Sequence, residues 1–177
     1  ADARPHGVVQ SVYVQVNVAP GDEVEEVAWV QSVSDAHGFP HAIIGYADLS
    51  APDVADTLDR SRTHPNLRGV RQQLHWHENP LYRFAPRPDV MNDAAFRRGM
   101  KAVAERGLVF ELQVFASQMP DAARLVQDFP EVTFVLLHAG MAEDRSLAGW
   151  ARWQQGMRLL AACPNLCVKL SGLGTFT

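Results

Sequence analysis

Three observations predict an α/β fold with a parallel sheet. Six strand-like segments alternate strictly with five helical stretches, which implies strands joined by right-handed crossovers. The run Phe134-Val-Leu-Leu-His138-Ala-Gly140 is apolar enough to be buried on both faces, yet it ends in a histidine, where parallel-sheet proteins place their chemistry. The turn after the first strand, Asn17-Val-Ala-Pro-Gly-Asp22, is no G-x-G-x-x-G, which favours a closed barrel over an open doubly wound sheet. The expected architecture is a TIM (β/α)8 barrel, incomplete, with about six strands and five helices present in a single domain over residues 1–177.

The strands are expected at Val8 to Val18, Ala42 to Asp48, Gly69 to His75, Val109 to Phe115, Thr133 to His138 and Cys167 to Ser171. The first helix takes Asp22 as its cap, Val24, Val27 and Ala28 as its apolar stripe, and Gly38 just past its end. Ser50 is the expected cap of the second, with Pro52 in its first turn and His64-Pro65 as its stop. Asn92 or Asp93 opens the third, which carries Phe96, Met100, Val103 and Ala104 and stops at Gly107. Pro120 opens the fourth and Pro130 ends it, while Ser146 opens the fifth. In that last helix Trp150, Trp153, Met157, Leu160 and Ala161 recur at helical spacing and read as core anchors rather than a ligand cage.

Bulk composition narrows the function classes. A chain of 177 residues with 47% hydrophobic and 20% charged residues suits one globular domain. The net charge of −4 and the scattered Lys and Arg argue against nucleic acid and anionic membranes as partners. No apolar run reaches the roughly 18 residues of a membrane span, and residues 1–7 lack the apolar core of a signal peptide, so a cytoplasmic location is expected. Cys163 and Cys167 have no second cysteine pair to complete a zinc cluster and are expected to be reduced core thiols.

Candidate functional residues come from polar interruptions of the strands. A period of two puts Arg71, Gln73 and His75 on one face, groups Glu111 with Gln113 and Lys169 with Ser171, and puts Gln15 beside Asn17. Burying such groups without partners costs on the order of 1 to 3 kcal/mol each, and charged ones cost more. One reading is a salt-bridged interior in which Arg71, Glu111 and Lys169 neutralise one another. The other has Arg71, Gln73, His75, Gln113, Lys169 and Ser171 lining a substrate pocket rimmed by His138, with the Arg71 guanidinium matched to a carboxylate. The long Pro- and Arg-rich loop from Trp76 to Met91 reads as a lid, through which Tyr82, Arg83 and Arg87 either reach a ligand or close the barrel mouth. His75-Trp-His77 has a metal-binding spacing without an evident third ligand, which favours a substrate contact or loop hydrogen bond.

Taken in order, Ser11-Val-Tyr-Val-Gln-Val16, Ile44-Gly-Tyr-Ala-Asp-Leu49, Gly69-Val-Arg-Gln-Gln-Leu-His-Trp-His77, Phe110-Glu-Leu-Gln-Val-Phe115, Val135-Leu-Leu-His-Ala-Gly-Met141 and Val168-Lys-Leu-Ser-Gly-Leu173 resemble the amidohydrolase-related family of barrel hydrolases. That family includes sugar lactonases, muconolactone-type lactonases and a pyrone-dicarboxylate lactonase. Ala142 stands where the family often has proline. The resemblance implies hydrolysis of a carboxylic ester bond in a small acidic or sugar lactone. It gives His138 a catalytic role as metal ligand or carbonyl-polarising group, and Arg71 that of substrate anchor. It reaches members that use one divalent zinc and members that use no metal, so both alternatives stay open. A decarboxylase of the same superfamily, and a non-catalytic barrel remnant or binding module, are the competing functions.

The family pattern also has an H-x-H on the first strand and an aspartate at the end of the last, neither of which matches here. The chain reads as starting at the second barrel strand and ending after the seventh, whereas such barrels take about 250 residues. The expectation is a sheet that does not close, edges that invite pairing with another copy, and negligible activity for residues 1–177 alone.

Overall fold

The computed structural model describes residues 4–174. Six strands form one sheet: β1 (Val12–Val14), β2 (Ala42–Tyr46), β3 (Leu67–Gln73), β4 (Val109–Gln113), β5 (Phe134–Leu136) and β6 (Leu166–Val168). All pair in parallel, in the spatial order β1-β2-β3-β4-β5-β6. A sequential order has no reversal point, so it is the order of a barrel wall and not of a doubly wound sheet. Five helices fill the connections: α1 (Glu23–His37), α2 (Val54–Arg62), α3 (Ala94–Glu105), α4 (Met119–Asp128) and α5 (Leu147–Ala161). The chain is thus part of a TIM barrel, as expected. No helix among the described residues is long and apolar enough to cross a membrane.

The core lies between the sheet and its helices. Val70, Phe110, Leu112, Phe134 and Leu136 point outward and are almost fully buried with Phe96, Met100 and Val103 of α3 and Leu125 and Val126 of α4. Phe96, Phe110 and Phe134 meet edge to face at centroid distances of 6.2 and 6.0 Å, the geometry aromatic quadrupoles prefer. Asn165 ties the lower rim by donating its amide to the carbonyls of Val126, Phe129 and Val132 at 3.0–3.1 Å.

Helix ends follow local chemistry. Gly38 closes α1 in the left-handed conformation, its N–H donating to Ser34 O at 2.7 Å. Ser146 caps α5, its hydroxyl accepting from Gly149 N at 3.1 Å. Ser50 does not cap α2, which starts at Val54 after Asp53; Ser50 N–H instead donates to Asp48 Oδ1 at 2.9 Å within a turn. That carboxylate offers the chain a local bond two residues on, which competes with an earlier helix start.

Several strands are shorter than the apolar runs. β1 is reduced from the expected Val8–Val18 to three residues, because among the described residues it has a neighbouring strand on one side only, and Asn17 turns left-handed at φ 61°. β3 begins and ends two residues earlier than expected, which leaves His75 beyond the ladder. Two packing expectations also change. Trp153 is half-buried and donates Nε1–H to Ala139 O at 2.8 Å, but Trp150 is exposed; Cys163 is buried, but Cys167 is exposed. Both departures fall along the β6 edge, where the sheet gains no further strand among the described residues.

Gly99 shows how closely α3 approaches the β2–α2 loop, since a Cβ there would sit 2.1 Å from Leu49 O. Gly99→Ala is expected to lower the unfolding free energy of the full-length protein by about 1–3 kcal/mol, the usual cost of overpacking, read from the midpoint of urea denaturation.

Candidate active site

The inner face of the sheet carries the polar residues. Glu111 and Gln113 alternate with buried Phe110 and Leu112 on β4, so they project to the opposite side, and the β3–β4 register sets Arg71 beside Glu111 and Gln73 beside Gln113. Lys169, just past β6, forms an ion pair with Glu111 across β5. Arg71 donates through Nη2 to Gln15 O at 2.5 Å, while its Nε has no partner. The Glu111 carboxylate, only 2% exposed, therefore lies within the field of two cations. The interior is ion-paired, and it keeps buried polar atoms unmatched, among them Arg71 Nε, His75 Nδ1, Glu111 Oε2 and Gln113 Oε1.

β5 delivers His138 to this cluster on unusual backbone. His138, Ala139, Gly140 and Met141 all have positive φ, between 40° and 75°. For residues with a Cβ this costs roughly 1–2 kcal/mol each, and such strain persists only where the surroundings over-determine it. Here Ala139 N–H donates to Lys169 O and Gly140 N–H to Leu137 O, each at 2.9 Å, and Trp153 holds Ala139 O. The His138 Nδ1 lies 3.0 Å from Ser171 Oγ, which leaves Nε2 as the nitrogen that can meet a ligand. Burial, with Arg71 and Lys169 close by, lowers the His138 pKa against the opposing pull of Glu111, so the ring is neutral at pH 7.

His75 is buried in the same field. Its ring packs on Phe84 and Phe115 at 4.8 and 5.3 Å, and burial, aided by Arg71 and His138, pushes its pKa down to about 4. His77 does not join it: its Nδ1 accepts from Asn79 N at 2.9 Å.

Two cavities open at the carboxyl ends of the strands. One of about 480 Å³ lies over β1 to β3 and is lined by Asn17, Tyr46, Asp48, Gln73, Phe84 and their neighbours. The other, about 320 Å³, runs beside α5 and β6 and includes His138, Trp150, Trp153 and Leu170. Gln73 and His138 thus belong to different openings. Arg71, Glu111 and Lys169 line neither opening, and we place the candidate chemistry on His138, which lines the smaller one.

The loop from Trp76 to Met91 closes on itself. Arg83 donates to His77 O and Glu78 O at 3.0 and 2.8 Å and lies 5.0 Å over the Trp76 ring, while Arg87 pairs with Asp89 and Asp93. Gln118 pins both ends of the loop: its Oε1 accepts from Trp76 N and Phe115 N, and its Nε2 donates to Leu74 O and Pro88 O. Tyr13 and Glu26 were not apparent as site residues in the sequence. The Tyr13 hydroxyl donates to Glu26 Oε1 at 2.8 Å, and burial with that bond pushes its pKa up to about 12. A signal did exist for Glu26, since 26, 30 and 34 fall on one helical face with Val30 and Ser34, and all three are buried.

This inward-facing cluster sits at the strand ends of a parallel barrel wall, where TIM barrels carry their sites. The sequence profile of the amidohydrolase family matches residues 1–177, and the chain belongs to that family. It is 39% identical over 174 residues to y4mH, an uncharacterised protein of Sinorhizobium fredii, covering 98% of this chain and 58% of that one. It is 36% identical over 155 residues to an L-fucono-1,5-lactonase of Burkholderia multivorans, covering 85% of this chain and 50% of that one. A crystal structure of an amidohydrolase from Burkholderia multivorans with bound zinc superposes with a TM-score of 0.80 at 29% identity, covering 99% of this chain and 58% of that one. The chain spans 50 to 58% of the length of these relatives. Zinc fits the described residues poorly: no three His, Cys, Asp or Glu side chains among them converge to hold an ion.

The buried neutral His75 makes stability pH-dependent. Unfolded, it takes up a proton below pH 6.5; folded, only near pH 4. The unfolded state binds more protons between those values, so stability is expected to fall by about 3 kcal/mol as pH drops from 6.5 to 4. His75→Phe should flatten that slope in urea titrations of the full-length protein across this window.

Proposed function

We propose that the full-length protein hydrolyses the carboxylic ester bond of a lactone, with His138 meeting the lactone carbonyl through Nε2 and Arg71 offering Nε to a substrate oxygen. The observation that carries this reading is the His138 ring itself: neutral, half-buried, tied at Nδ1 and held on strained backbone above an ion-paired floor. A neutral imidazole can polarise a carbonyl or relay a proton without first losing one. The likeness to an L-fucono-1,5-lactonase supports the same reaction class.

Charge balance favours one kind of lactone. Arg71 and Lys169 are faced by Glu111 and Glu26, so the floor has no net positive charge to attract a dicarboxylate. Its unmatched atoms include a donor, Arg71 Nε, and acceptors, Glu111 Oε2 and Gln113 Oε1, which suit the hydroxyl groups of an uncharged sugar lactone. His75, Gln113 and Lys169 act in this reading as the walls that orient the ring, whereas Gln73 lines the other opening. The substrate is a small molecule.

In the full-length protein, His138→Ala is expected to cut turnover of a six-membered sugar lactone by about 100-fold or more while leaving the melting temperature unchanged, as for loss of a positioned acid–base group. The intact enzyme should prefer that lactone to a dicarboxylate lactone in kcat/KM. Undiminished turnover in the alanine variant, or the reverse preference, would remove the proposal.

A further inference from the structure

We propose that Ser171 is a positioning residue whose hydroxyl, bonded to His138 Nδ1, selects one imidazole tautomer and so fixes what Nε2 presents to the substrate. This rests on the reading of His138 as the group that meets the lactone carbonyl.

A neutral imidazole has two tautomers, and which one dominates is set by the bond made at the nitrogen turned away from the ligand. Ser171 Oγ at 3.0 Å is the partner recorded for Nδ1. A hydroxyl can donate or accept, but in a fixed setting it does one of them, and the other ring nitrogen takes the complementary role. Strand pairing supplies that setting. Lys169 N–H donates to Leu136 O and Ala139 N–H to Lys169 O, both at 2.9 Å, so Lys169, two residues before Ser171, is bonded on either side of His138. Gly172 then packs on the ring from the same segment. Its φ is +60°, and a Cβ added there would lie 2.7–2.9 Å from Nδ1, Cγ and Cβ of His138. Together with the left-handed φ of 53° at His138, this leaves the imidazole little room to turn.

Ser171 therefore works through His138. The chain uses the end of β6 to set the chemical character of a residue at the end of β5, as outer partners do for working histidines elsewhere.

The test is ¹⁵N NMR of the histidine rings in the full-length protein at neutral pH, with steady-state kinetics on a sugar lactone. Native protein should show one tautomer at His138, with well-separated Nδ1 and Nε2 shifts. Ser171→Ala should bring those two shifts toward each other, and Ser171→Thr should keep them apart. In parallel, kcat should fall by about 10- to 100-fold in the alanine variant with KM within about twofold, and recover in the threonine variant, in line with the loss of an orienting partner. Unchanged ring shifts in Ser171→Ala would overturn the proposal whatever the kinetics. Shifts that converge without any change in turnover would uphold the tautomer assignment and reject the role given to His138 in catalysis.

Discussion

The buried carboxylate of Glu111 is the constraint on which the site depends. Removing such a group from water costs several kcal/mol even after relaxation, and a well-placed counter-charge is what makes it tolerable. Lys169 supplies that charge from beyond β6, and Arg71 faces it from β3. The arrangement holds only if β3, β4 and the segment after β6 keep their register. A slip of one residue would turn Glu111 into the apolar layer and put Phe110 or Leu112 inside. Buried ion pairs are weak sources of stability, so their presence across three segments points to a service rendered to the site. Burial keeps two neighbouring imidazoles, His75 and His138, neutral, and the nearby Arg71 acts in the same direction.

Rigidity comes from the other side of the sheet. The aromatic ladder of Phe96, Phe110 and Phe134 and the three-carbonyl clasp of Asn165 fix strands β4 and β5 against α3 and α4. With the outer face locked, the strand ends can carry strained geometry, and four successive positive φ values at residues 138–141 are concentrated where chemistry is proposed. Gln118 does similar work for the loop from Trp76 to Met91, gathering both of its ends with one side chain, all of whose recorded bonds go to backbone.

Much of this was legible in the residues. Strand–helix alternation, the caps at Gly38 and Ser146, and the interruption of apolar strands by Arg71, Glu111 and Lys169 led to the barrel wall and to a polar inner face. What escaped was contact between residues far apart in the chain. Glu26 reaches Tyr13 from a helix, and Gln118 gathers segments 30 or more residues away. Strand limits are less legible, because hydrophobicity reports burial, whereas a ladder also requires a neighbour, which β1 has on one side only among the described residues.

The sequence by itself determined the class of fold and the chemical types that line its inner face, because both follow from periodicity and from the cost of burying polar groups. Only the tertiary structure decided which of those groups meet. That Ser171 faces the His138 ring, that Arg71 keeps an unmatched Nε, and that His75 and His77 part company depend on strand register and backbone torsions. These are set by packing across the whole sheet, and no local run of residues encodes them.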